Sequence, residues 1–81
     1  MGHIKARIQL TSPRDVKEFV DIINSTDTIN EYIFENATCD KVADARSYLG
    51  AMYASSDFKV IYLVNKTHDG IFPPEIDQFR A

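Results

Sequence analysis

The 81 residues contain a single cysteine, Cys39, so no disulfide can form within the chain and nothing points to secretion. No apolar run is long enough to span a membrane. The opening residues, Met1-Gly2-His3-Ile4-Lys5-Ala6-Arg7, lack the apolar core of a signal peptide, so a cytoplasmic protein is expected. Basic residues are in the minority: 9 Lys and Arg stand against 12 Asp and Glu, a net charge of -3. Phosphate binding needs a clustered excess of cations, so nucleic acid is not an expected partner. No basic, aromatic-rich strand carries an RNA-binding signature either. A Gly-rich phosphate loop and a nucleophile–base–acid set are both missing. His3, His68 and Cys39 lack metal-ligand spacing, so no metal and no cofactor are expected. Without repeats, linkers or low-complexity tracts, residues 1–81 read as one domain with one thin core.

What is present has clear periods. Residues 4–10 alternate, with Ile4, Ala6, Ile8 and Leu10 on one side and Lys5, Arg7 and Gln9 on the other, as a half-buried strand does. Ser12 as N-cap, Pro13 at the first helical position and Asp15 in the first turn start a helix. Val16, Phe19, Val20 and Ile23 then give that helix one apolar face, and residues 24–27 end it. A second strand is expected over 29–34, a turn at 35–37 and a weak returning strand over 38–43. The strongest strand is 58–64, nearly all apolar and rich in β-branched and aromatic residues, as a central strand should be. A loop follows over 65–72, and Pro73-Pro74 open a short last helix over 75–79. Glu31, Glu35, Asp40 and Asp44 read as a solvated acidic edge. The expected order is β-α-β-β-α-β-α, an α+β fold whose helices share one sheet face.

Between the third and fourth strands lies Asp44-Ala45-Arg46-Ser47-Tyr48-Leu49-Gly50-Ala51-Met52. Ser47 is a good N-cap for a helix over 47–54. Tyr48, Leu49 and Met52 form one apolar stripe at helical spacing, either core or interaction surface. Gly50 inside a helix costs about 1 kcal/mol relative to Ala, which implies a packing reason. The nonapeptide resembles the D-A-K-S-I-M-G-x-M segment of HPr-family phosphocarriers, the group that includes Crh, in the bacterial sugar phosphotransferase system. Ser47, Gly50 and Met52 match as they stand, and Arg46 takes the place of the usual Lys.

The resemblance implies an open-faced β-sandwich, with a four-stranded antiparallel sheet and three helices on one face. It implies phosphate transfer through a histidine in a G-x-H-x-R-P-A motif just before the first helix. With Phe19-Val20 setting the register, Arg14 matches the family arginine, Ser12 occupies the histidine position and Asp15 replaces the following proline. The catalytic histidine is therefore missing, leaving Ser12 and Arg14 as anion-binding candidates. Ser47 matches a serine that a kinase phosphorylates in many Gram-positive relatives, and it also caps its helix. Arg46, Tyr48, Leu49 and Met52 match the partner-docking patch. The expectation is a non-catalytic regulatory or protein-binding domain with protein partners, switched by phosphate at Ser47. The alternative is a phosphoryl carrier using a non-standard acceptor.

Overall fold

The computed structural model describes residues 5–68 and 71–81. Its elements are β1 (Lys5–Ile8), α1 (Pro13–Thr26), β2 (Tyr32–Glu35), β3 (Val42–Asp44), α2 (Tyr48–Asp57), β4 (Ile61–Asn65) and a 3₁₀ helix (Pro74–Phe79). The four strands make one open antiparallel sheet in the order β1-β4-β2-β3. Over the described residues the chain is thus an α+β fold with three helical elements.

The most apolar strand, β4, lies between β1 and β2. Four of its five residues are buried and Tyr62 is half-buried, as its apolar, β-branched sequence anticipates for an interior strand. On one face Leu63 faces Ala6 and Phe34, and Ile61 faces Ile8. On the other, Val64 sits between Lys5 and Ile33 and is also buried. Ala6, Ile8 and Leu10 are buried, as the alternation expects, and Ile4 lies outside the described residues. The α1 stripe of Val16, Phe19, Val20 and Ile23 packs onto the Leu63 face with Ala51 and Ala54 of α2 and Ile76 of the 3₁₀ helix. The Phe19 ring lies 5.3 Å from Phe34 and 5.5 Å from Phe79, joining the first helix, the sheet and the last helical turn.

Several boundaries move, each because a side chain bonds locally to backbone. The second strand starts at Tyr32 rather than 29, because Asp27 Oδ1 accepts from the Ile29 and Asn30 amides at 3.0 Å and folds 27–30 into a turn. Tyr32 and Phe34 are its inward residues, and Ile29 is 83% exposed. The third strand is displaced from 38–43 to Val42–Asp44. Asn36 Oδ1 accepts from the Asp40 and Lys41 amides at 3.1 and 3.2 Å and widens the turn. Cys39 is an exposed member of that turn, not a strand residue, and its φ of 61° is in the left-handed region, which side chains disfavour. Residues 55–57 extend α2 instead of ending it. Ser55 Oγ donates back to Met52 O at 2.9 Å, and the Phe58 amide closes the helix on Ala54 O at 2.9 Å. The last helix is 3₁₀, with i→i+3 bonds from Ile76 to Pro73 and from Arg80 to Asp77, both 3.1 Å.

Gly50 has the packing role its position implies. A Cβ there would lie 2.5 Å from Asp44 O and 3.1 Å from Asp44 N. The first turns of α2 therefore press onto the end of β3, and only hydrogen fits between them.

Candidate functional site

At the start of α1, Ser12 Oγ accepts from the Asp15 amide at 3.2 Å. Asp15 Oδ2 in turn accepts from the Thr11 amide at 3.0 Å and the Thr11 hydroxyl at 2.7 Å. The Thr11 hydroxyl bond holds the Asp15 carboxyl below its ordinary range. The cap satisfies the Asp15 amide from within the chain, and the Asp15 carboxylate, folded back on Thr11, adds a negative charge to the end of the helix where the phosphocarrier resemblance would put a phosphate. Arg14 donates from Nε to Glu18 Oε1 at 3.0 Å, one turn further along the exposed helix face. The Ser12 hydroxyl serves the cap, and among the described residues no base is hydrogen-bonded to it.

His68 does not approach this notch. The α1 start follows Ile8, which pairs with Ile61 at the beginning of β4, whereas His68 follows Asn65 at its end. The His68 amide is bound by Asn65 Oδ1 at 3.0 Å, and His3 lies outside the described residues. Among the described residues no group of His, Cys, Asp and Glu is arranged to hold a metal ion.

Ser47 and Ser12 are not neighbours. The α2 start sits beside the end of α1, where Asn24 Nδ2 donates to Arg46 O at 3.2 Å. Asn24 lies twelve positions beyond Ser12, roughly 18 Å along the α1 axis. Ser47 Oγ accepts from the Gly50 amide at 3.2 Å, so it is the α2 cap.

Arg46, expected as a docking residue, turns inward. Its guanidinium donates to Ile23 O at 3.3 Å, Asn24 Oδ1 at 3.2 Å, Asn30 O at 2.7 Å and Asp27 O. It also lies 5.6 Å from the Tyr32 ring centroid. The last turn of α1 carries no basic residue of its own, and Arg46 supplies the cation from across the chain. Beneath it Asp27 Oδ2 accepts from Asn30 Nδ2 at 2.6 Å and Tyr32 Oη at 2.8 Å. The backbone bond from Asn30 is the main cause holding the Asp27 carboxyl well below the usual range, against its burial. Burial, reinforced by Asp27, pushes the Tyr32 phenol upward. Sequence reading missed this knot, although Asp27 directly after a helix is an Asx-turn signal.

The remaining docking candidates do point outward. Leu49 is 83% exposed, Tyr48 47%, and Met52 and Tyr53 41% each. Tyr53 was not anticipated, but it continues the stripe one turn beyond Leu49 and stacks edge-on against Phe58 at 5.4 Å. Tyr48 Oη donates to Asp21 on α1, and Asp21 also pairs with Lys17 at 2.9 Å. On α2 the usual sidedness is inverted: two alanines face the core and four large apolar side chains face out.

On the other face of the sheet, Lys5 Nζ lies 2.7 Å from both Glu35 Oε1 and Cys39 Sγ. Asp44 Oδ1 accepts from the Arg46 amide at 2.9 Å, and Asp40 Oδ1 from Asn36 Nδ2 at 2.6 Å. Of the expected acidic edge, Glu31, Asp40 and Asp44 are exposed, and Glu35 is half-buried against Lys5. No helix among the described residues is long and apolar enough to cross a membrane. Comparison with protein-family models, curated proteins and solved structures finds no match for the chain.

Proposed function

We propose that this chain is a non-catalytic, HPr-like regulatory or protein-binding domain of the sugar phosphotransferase system that docks protein partners in the cytoplasm. The observation that carries this reading is the inverted α2, which presents Tyr48, Leu49, Met52 and Tyr53 to solvent. A contiguous apolar surface on a small domain marks an interaction site. Aromatic residues and Met suit the centre of such a surface. The antiparallel sheet, with every helix feeding the core on one face, supports the finer reading of an HPr-like open-faced sandwich in the order β-α-β-β-α-β-α. The first turn of α1 supports loss of phosphate carriage, because the Asp15 carboxylate, held by Thr11, puts a negative charge at the helix end that the resemblance assigns to phosphate.

Phosphorylation of Ser47 would act directly on this surface. A phosphate at the α2 N-cap meets the positive end of the helix dipole and adds nearly two negative charges next to Tyr48 and Leu49. An apolar partner pocket would then face a charge it must desolvate. The Arg46 guanidinium is committed to the end of α1 and the turn that follows it.

The test is incubation of the chain with phosphoenolpyruvate and the general phosphotransferase-system enzyme, followed by incubation with ATP and a serine kinase of that system. The expected result is no acid-labile phosphate in the first reaction and an acid-stable phosphate on Ser47 in the second. An acid-labile phosphate would overturn this reading in favour of a carrier with a non-standard acceptor.

A further inference from the structure

We infer that α2 opens as a unit of its own, between fixed points at Arg46 and Phe58, while the sheet and α1 stay folded. Val16, Phe19, Val20 and Ile23 anchor α1 in the core, whereas the fully buried side chains of α2 are the two small ones, Ala51 and Ala54. Elements with few buried apolar contacts open at lower free energy than the whole domain. Both flanks are firmly held. Ala45 is fully buried, Arg46 is bound to the end of α1, and Phe58 is buried in the core. Between them α2 is held by the alanine seam, the close approach of Gly50 to Asp44, the Tyr53–Phe58 ring contact and one side-chain hydrogen bond, from the Tyr48 hydroxyl to Asp21. Gly50 lowers the persistence of the helix further. Opening breaks helical bonds such as that from the Ala51 amide to Ser47 O, 2.9 Å, withdraws two methyl groups from the core and uncovers the side chains they pack on. The inference rests on how α2 is attached and not on what docks there. If α2 is also the docking face, its affinity for a partner scales with the closed fraction.

Amide hydrogen exchange of the whole chain, followed residue by residue by NMR across low urea concentrations, tests this. Amides of residues 52–57 are expected to exchange at least about 10-fold faster than those of Val20 and Leu63, with one shared urea slope that is shallower than theirs. Tyr48→Phe removes one polar link and no core group. It is expected to speed exchange across α2 by about 3- to 10-fold, the worth of one hydrogen bond, and leave Val20 and Leu63 unchanged. If the α2 amides match Val20 and Leu63 in rate and urea slope, the helix opens only with the whole domain and the inference fails. A uniform acceleration of all three sites in Tyr48→Phe would sink it equally.

Discussion

Arg46→Ala should be among the most damaging single substitutions in this domain. Removing the guanidinium strips a donor from Ile23 O, Asn24 Oδ1, Asp27 O and Asn30 O together, and removes the cation above Tyr32. A hydrogen bond to a charged group contributes about 1.5–3 kcal/mol. The side chain keeps 25% of its exposure, so water reaches some of the released carbonyls, and the equivalent of two bonds, about 3 kcal/mol, is the reasonable loss. The dipole interaction at the end of α1 adds about 0.5 kcal/mol. The cation–π contact adds a similar amount. A domain of this length has roughly 4–12 kcal/mol in all. Urea and thermal unfolding should therefore show a loss of about 3–4 kcal/mol and a Tm lower by roughly 15–25 °C. Arg46→Lys should restore about half, since an ammonium reaches fewer acceptors at once. A loss below about 1 kcal/mol, typical of a solvated surface arginine, would refute the assignment of Arg46 as a staple between the helices.

Gly50→Ala should lose about 1–3 kcal/mol in the same assays despite the better helix propensity of alanine, because its Cβ would sit 2.5 Å from a backbone oxygen that cannot step aside. Asp27 has a folded pKa below its unfolded value of about 3.9, so its contribution is fully present above about pH 5 and is lost as pH falls through the acid range. Asp27→Asn should flatten the acid limb of a stability–pH curve, and an unchanged limb would contradict the role given to that carboxylate. Leu49→Asp should shift stability by no more than about 0.5 kcal/mol, because the side chain is already in water.

The parts of the fold that sequence alone anticipates are those with local causes. α1 begins with its cap, Pro13 and Asp15 in order and repeats its apolar residues at one period, so its start and buried face follow directly. β4 is apolar enough to demand a central place. β3 lacks such a signal. The residues before it are folded by the Asn36 side chain, which composition cannot distinguish from a weak strand. The role of Arg46 is hidden for another reason. Its acceptors Asn30 and Ile23 are 16 and 23 residues away in the chain, and a resemblance that assigns the position to a partner surface says nothing about them. The outward stripe of α2 was half visible, because helical spacing groups Tyr48, Leu49 and Met52 but does not say which way they face. Only the seam of Ala51 and Ala54 against the core decides that.

Docking through α2 is tested most directly by titrating the isotope-labelled chain with the general phosphotransferase-system enzyme, and separately with a transcription factor governing sugar uptake. The expected result is NMR shift changes confined to residues 47–57 and the adjoining face of α1, for at least one partner, and their loss in Leu49→Asp at unchanged stability. Changes centred on the open sheet face around Tyr62, or undiminished binding by Leu49→Asp, would contradict it.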